Sequence, residues 1–190
     1  LHREQQWDWN SSQVCYELAK SMIIVYDQYL TSNGFTPKDL TKWILGILRY
    51  SEDQPTFSML YEGCRVFADR LPSNKQKEFT TAMTKNISGK LGVYTTFDGS
   101  DNLLRRSDIS SIKKALNTGL TNYERECGPL DIFIQNSTMK LSTQINRAIA
   151  LPCNHLLLIA ITGCGGKEVL KLTIQTMKGK LFSPSTFDGY

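Results

Sequence analysis

The stretch "LLLIAITGCGGKEVLKL", residues 156–172, decides how the second half of this chain is read. An unbroken apolar run, Leu156 to Ile161, enters a glycine-rich turn, a lysine follows, and an amphipathic pattern leads out. A run apolar on every residue predicts a parallel strand covered on both faces. Val169, Leu170, Thr173, Ile174 and Met177 then recur at helical spacing. Strand, glycine turn and helix are the order of parts in a phosphate-binding loop, in which backbone N–H groups curl around phosphate oxygens at a helix N-terminus.

The chemistry of such a loop needs the pattern G-x-x-x-x-G-K-[ST], with the lysine neutralising the outer phosphates and the hydroxyl holding Mg²⁺. Two frames can be laid on residues 160–168. In the first, Ala160 takes the first glycine position, Gly165 the second, Gly166 the lysine slot and Lys167 the hydroxyl slot. In the second, Ile161 and Gly166 take the glycine positions, Lys167 is the lysine and Glu168 falls where the hydroxyl belongs. Neither frame is complete. A carboxylate at the phosphate end repels a nucleotide unless a cation offsets it. Gly163, Cys164, Gly165, Gly166, Lys167 and Glu168 are therefore the candidate nucleotide-binding residues, read as a weak site or as a vestigial turn, with the turn preferred. No catalytic residue is assigned: Glu52-Asp53 and Glu124/Glu126 sit in loop-like or solvent-facing contexts, and neither histidine has a motif around it. Only 23 residues follow Lys167, too few for an acidic strand that would hold Mg²⁺ and orient water.

Upstream, the periodicity is helical. Ser11 or Ser12 can cap a helix carrying Val14, Leu18, Met22, Val25 and Tyr29, which stops at "TSNGF" (31–35). In "TPKDL" (36–40) Thr36 can cap, Pro37 suits the first helical position and Asp39 lies in the first turn, where the helix dipole favours an anion. Leu40, Trp43, Ile44, Ile47 and Leu48 form the stripe of that helix. A third helix from Thr56 carries Leu60, Tyr61, Cys64, Phe67 and Leu71 and ends at "LPSN"; a shorter fourth carries Phe79, Met83 and Ile87. Residues 1–88 thus read as a helical bundle. "GKLGVYTTFDGSDNLLRRS" has turn signals and no sustained period, so 89–106 reads as a linker with one short extended piece. From 107 to 190 a Ser/Asp-capped helix carries Ile109, Ile112, Leu116, Leu120 and Tyr123, and "LDIFI" (130–134) is β-prone. Asn136 opens a helix with Met139, Ile145 and Ile149, closed by Pro152, and "KLFS" can begin a second strand after the glycine loop.

Composition narrows the classes. The chain has 190 residues, enough for one domain or two small ones, and 22 Lys+Arg against 18 Asp+Glu give a scattered net charge of +4. Beyond Arg105-Arg106 and the lysines near the glycine loop there is no basic concentration, so nucleic acid is not an expected partner. No run has the apolar length of a membrane span, and "LHREQQWDWN" is neither a signal nor a transit sequence, so the expectation is an intracellular chain without a membrane partner. Position 1 is leucine, which suits an excised segment. Cys15, Cys64, Cys127, Cys153 and Cys164 are odd in number and never form C-x-x-C; with only His2 and His155 beside them they read as reduced thiols, and no metal site is expected.

Three stretches resemble one family. "FTPKDLTKWILGILRY" (35–50) with "YEGCRVFADRL" (61–71) is similar to the helical lid of the third AAA+ module of dynein heavy chains. "LDIFIQNSTMKLSTQINRAIALPCNHLLLIAITGCGGKEVL" (130–170) resembles the opening of the fourth module: a lead-in segment, a helix ending in arginine and proline, a strand and the phosphate loop. Within dyneins, "WNSSQ", "FTPKDLTKW" and "GKLFSPSTFDGY" are most similar to the cytoplasmic dynein-2 heavy chains of retrograde intraflagellar transport.

The resemblance implies a mostly α chain: a helical AAA+ lid bundle followed by the N-terminal part of an α/β P-loop module with a degenerate phosphate loop. It implies a segment that couples ATP-driven changes between adjacent modules of a minus-end-directed microtubule motor in the cytoplasm, cytoskeleton and cilium or flagellum. Such a segment is not catalytic alone. ATP or ADP with Mg²⁺ belongs to the parent motor, and none is certain in this segment. Partners would be the remaining AAA+ modules and, through the full motor, microtubules and accessory chains. Lys38 falls where the lid places an arginine that reaches a neighbouring nucleotide; lysine keeps the charge and loses the planar fork. Two other classes stay open on the residues alone: a helical scaffold or adaptor with no nucleotide role, and a truncated P-loop NTPase of another family.

Overall fold

A computed structural model describes residues 12–51, 55–87, 91–99, 103–150, 155–159, 161 and 163–182. The chain is mostly α-helical and divides into two compact units, Leu1–Gly92 and Val93–Tyr190. The first unit holds α1 (Ser12–Val25), α2 (Pro37–Ile47), α3 (Pro55–Val66) and α4 (Ser73–Asn86). The second holds β1 (Val93–Thr95), β2 (Arg105–Ser107), α5 (Ile109–Cys127), α6 (Asn136–Ile149) and α7 (Gly166–Thr176). Ser11, Glu52, Asp53, Pro152, Cys153, Ala160 and "SPSTFDGY" lie outside the described residues, as do His2 and "WNSSQ" through Ser11.

The first helix departs from the expected stripe. Met22, Val25 and Leu30 are buried, and Tyr29 is half-buried at the margin of the core. Leu30 follows Val25 by five positions, which at 3.6 residues per turn would set them roughly 140° apart. A π turn over Tyr26–Leu30, in which the Thr31 N–H donates to the Tyr26 carbonyl, widens the helix and keeps Leu30 inward. A 3₁₀ turn, Thr31–Asn33, follows, and Gly34 at φ +78° reverses the chain. Gly34 N donates to Thr31 O and Phe35 N to Leu30 O, each at 3.2 Å, so Phe35 returns onto Leu30 in the core.

Phe67 organises that core. Its ring meets Phe35 at 5.1 Å, Trp43 at 5.3 Å and Phe79 at 6.1 Å, each edge to face. Trp43 Nε1 donates to the Met59 carbonyl at 2.8 Å, so the buried indole leaves no polar group unpaired and ties α2 to α3. α2 and α3 pack closely because Gly46 faces the buried Glu62, whose Oε1 would lie 2.2 Å from an added Cβ. Glu62 accepts from Tyr50 Oη at 2.6 Å and pairs with Arg49 Nη2 at 3.3 Å. α4 packs on α1 and α3. Ile44 and Leu48, read above as part of the α2 stripe, are 50% and 52% exposed; the buried arc is narrower, Asp39, Trp43, Gly46 and Ile47, with Leu40 half-buried against the core.

In the second unit α7 packs against both α5 and α6, with Ile112, Leu116, Leu130, Met139 and Leu172 at the centre. Gly119 of α5 faces Thr176, whose Oγ1 would lie 2.2 Å from an added Cβ. β1 and β2 pair antiparallel with Tyr94 opposite Arg106, so the stretch read as a linker with one extended piece carries a two-stranded ribbon. Three expected strands differ. Residues 130–134 keep a period of two, Leu130 buried and Ile132 and Ile134 packed on the core, while Phe133 is 83% exposed. They form no ladder. Residues 156–159 and 161 are likewise outside any ladder, with Leu157, Ile159 and Ile161 more than four-fifths exposed, and Leu181 and Phe182 are exposed and irregular. A fully apolar strand needs neighbours on both edges and layers on both faces, and none lies beside these residues among those described. Ile109, expected inward, is exposed at the first position of α5.

The π turn gives a direct test of the first helix's register. Leu30→Ala is expected to lower unfolding free energy by about 2–5 kcal/mol, as for a buried leucine, and Tyr29→Ala by less than half as much. Urea unfolding of both variants measures this; equal losses would return the helix to an unbroken α register.

Candidate functional site

The glycine loop opens at Gly163 (φ +86°), and Cys164 N donates to the Ile161 carbonyl at 3.1 Å. Gly165, at φ +73°, is the N-cap of α7, and its carbonyl accepts the first bond within the helix, from Val169 N at 2.9 Å. Both glycines are in the left-handed region, which a Cβ disfavours by roughly 1–2 kcal/mol. An added Cβ at either would meet nothing within 4 Å, so backbone conformation rather than space selects glycine here. Cys164 is an exposed free thiol, Gly166 is buried, Lys167 is exposed and Glu168 is half-buried in the first turn.

The loop therefore brings Gly163, Cys164, Gly165, Gly166, Lys167 and Glu168 together at one helix N-terminus, as expected from their spacing. The loop ends at the N-terminus of α7, whose first backbone N–H groups lie at the positive end of the helix dipole. The groups that would hold a metal-bound nucleotide are not: the first-turn side chain that would reach Mg²⁺ is the Glu168 carboxylate, and no hydroxyl takes that place. Among the described residues no group of three or more His, Cys, Asp or Glu side chains is placed to hold a metal ion. The donor set thus departs from that of the G-x-x-x-x-G-K-[ST] loop at the hydroxyl position, where Glu168 stands.

Lys38 lies in the first unit, exposed, as the second residue of α2. Its neighbour Asp39, which sequence reading took only as a helix-dipole anion, is a junction. Asp39 Oδ2 accepts from Thr36 N at 3.0 Å and from Thr36 Oγ1 at 2.9 Å, and Oδ1 takes Arg70 Nη1 at 2.6 Å. The Thr36 backbone bond, with the Arg70 guanidinium beside it, holds the Asp39 carboxyl well below the usual carboxylate range. Arg70 also lies over the Phe35 ring, 4.8 Å from its centroid. Thr36 as a cap and Asp39 in the first turn were legible in sequence; the bond between their side chains and the Arg70 half, 31 residues away, were not.

Other candidates are dispersed. Glu124 and Glu126 are exposed on α5, where Glu126 accepts from Gln175 Nε2 at 3.0 Å. Arg105 and Arg106 lie on β2. Cys64 is buried on α3, and burial pushes its thiol pKa up, away from reactivity. Among the described residues no helix is long and apolar enough to cross a membrane.

With this geometry in view, comparison with known proteins is informative. Residues 1–77 match the family model of the dynein heavy chain ATPase lid domain. Over 96% of its length the chain is 27% identical to the cytoplasmic dynein 2 heavy chain 1 of Homo sapiens, and over 91% it is 27% identical to that of Chlamydomonas reinhardtii. It is 22% identical over 76% of its length to the cytoplasmic dynein heavy chain of Neurospora crassa. The chain spans about 5% of the length of the human and algal relatives and 4% of the fungal one.

Two predictions follow the geometry of these helix starts. Gly165→Ala should destabilise the second unit by about 1–2 kcal/mol, the cost of a left-handed non-glycine residue, read as faster amide exchange at Leu116 and Leu172. For Asp39, the folded-state pKa is depressed, so its contribution to stability is full above the unfolded value near 3.9 and is lost as pH falls below it. Urea midpoints of wild type should therefore fall from about pH 5 downward, and Asp39→Asn should start lower and flatten that acid limb. An unchanged limb in the variant would assign the acid loss to other carboxylates.

Proposed function

We propose, from its similarity to dynein heavy chains, that this chain is a segment of a dynein motor ring that carries lid movement of one AAA+ module into the start of the next. The observation that carries the reading is the lid-family match over residues 1–77, which falls on the helical bundle, with a glycine-turned helix in the unit that follows. The lid is the third module's and the glycine loop the fourth's, with residues 1–88 as lid, 89–106 as linker and 107–190 as the opening of the next module. The movement is a rigid-body switch in kind, because packed aromatic cores such as that around Phe67 shift as units rather than deform.

The parent motor would hydrolyse ATP and move toward microtubule minus ends, with the other AAA+ modules, microtubules and accessory chains as partners. Its place would be the cytoplasm, the cytoskeleton and the cilium or flagellum. Similarity to cytoplasmic dynein 2 heavy chains from several organisms supports a role in retrograde intraflagellar transport. Lys38 is the proposed lid contact to a neighbouring nucleotide, as a point charge in place of an arginine fork.

Gly163 to Glu168 form a vestigial phosphate loop that keeps its backbone and has lost its ligands for a metal-bound nucleotide. The exposed Leu157, Ile159 and Ile161 support a place for this run in a larger sheet.

The chain alone is expected to show no ATP turnover and no change in Tm at saturating Mg-ADP. A Tm shift that saturates with nucleotide and disappears in Lys167→Ala would make the loop a regulatory pocket instead, and turnover would overturn the non-catalytic reading. Glu168→Thr removes the repelling carboxylate and supplies the missing hydroxyl. Fluorescent-ADP titration should detect binding first in that variant.

A further inference from the structure

Two clusters of buried hydrogen-bonded polar groups lie one turn apart on α6 in the interior of the second unit. The first begins at the Gly165 carbonyl, which accepts from Val169 N. Val169 O accepts from the Thr173 hydroxyl at 2.7 Å, and Thr173 Oγ1 lies 2.7 Å from Ser142 Oγ on α6. A hydroxyl has one proton to give. Thr173 gives its own to Val169, so Ser142 is the donor between the two hydroxyls. One turn further along α6, Asn146 accepts the Thr96 amide proton on Oδ1 at 3.0 Å and donates through Nδ2 to Thr96 Oγ1 at 2.7 Å. Ser142, Asn146 and Thr173 are fully buried, and Thr96 is 6% exposed. Thr95 Oγ1, beside Thr96, meets Ser107 Oγ across the ribbon at 2.9 Å.

These groups are poor choices if packing alone were needed. Alanine and valine fill the places of Ser142 and Thr173 without a polar group to satisfy, and a buried amide left half-paired is costly. What the hydroxyls and the amide add is direction: each bond fixes one rotamer of α6 against one atom of a neighbouring element.

We propose that Ser142 and Asn146 form a positioning device that locks α7 and the β1–β2 ribbon to one face of α6, so that displacement at the loop end of α7 is delivered to Thr96. The two residues are four apart on that helix, hence on the same side one turn from each other. The coupling is a property of the fold and holds whatever the glycine loop binds. Proximity along one helix face does not establish energetic coupling, so the test removes a hydroxyl on α7 and reads an amide held by the next turn of the same face of α6.

Amide hydrogen exchange is measured on the 190-residue chain and on Thr173→Val, Ser142→Ala and Thr173→Ser. In the first two variants the Thr96 amide should exchange about tenfold faster, with Leu116 in α5 changing much less, and Thr173→Ser, which retains the hydroxyl, should keep wild-type protection at Thr96. Thr96 unchanged in both deletions, or Thr96 and Leu116 rising together as in global destabilisation, would overturn the device. Should Thr173→Val fail to fold, Ser142→Ala, which removes one hydroxyl and no carbon, decides the matter.

Discussion

One carboxylate sets the geometry of the first unit. Asp39 is buried, and a buried anion must have every lone-pair direction answered or it shifts to its neutral form. One oxygen closes the N-terminus of α2 through Thr36, and the other receives Arg70 from the turn that follows α3. The start of one helix is thereby fixed to the end of another. Arg70 in turn covers Phe35, the residue that the left-handed Gly34 swings into the core, and Phe35 meets Phe67 edge to face. The order of dependence runs from charge to turn to aromatic core. If Asp39 lost its charge, the guanidinium would have no fixed partner, and the ring beneath it would lose its lid.

The second unit is arranged around a helix instead. α7 touches both α5 and α6, and its inward residues are mixed: Val169 and Leu172 are apolar, Thr173 is polar. Gly119 allows α5 to approach Thr176, and Ser142 takes the Thr173 hydroxyl. A helix held on two sides, one contact steric and one directional, has little freedom to slide. The left-handed glycines at its head then decide where the incoming chain must turn.

Local signals carried much of this fold. Thr36, Pro37 and Asp39 read as a helix start because capping is settled within four residues, and Asp108 proved the cap of α5 for the same reason, its side chain accepting from Ser111 N. The glycine loop read correctly as a turn into a helix. What sequence could not show was set over longer distances. Leu30 is fully buried while Tyr29 packs at the core's margin because a π turn intervenes, and period counting assumes one helical pitch throughout. Ile44 and Leu48 fit an apolar stripe yet stay outside, since a stripe shows which residues are apolar and not how wide the covered arc is. The β1–β2 ribbon was hidden in a glycine-rich stretch with three-residue strands, too short for a period to appear. The Arg70 and Asn146 contacts join residues 31 and 50 positions from their partners, where no local pattern reaches.

Two helix starts in this chain share one sequence form. α2 begins Thr36-Pro37-Lys38-Asp39 and α7 begins Gly165-Gly166-Lys167-Glu168: a cap, a first residue, a lysine and an acid at the third helical position. In α2 the acid closes the helix's own N-terminus, and that end takes a charge from within the chain. An acid at the same position of α7, Glu168, lies in the first turn, where the helix dipole favours a negative charge. A second anion there would meet the first at close range. The lysines of both starts lie exposed, one position before the acid, and neither is drawn inward as a phosphate-reaching lysine would be. The glycines at 163 and 165 each hold a left-handed backbone that the turn into α7 needs. The two starts thus share a sequence form and differ in use: the acid of α2 bonds its own cap, and no side chain caps α7.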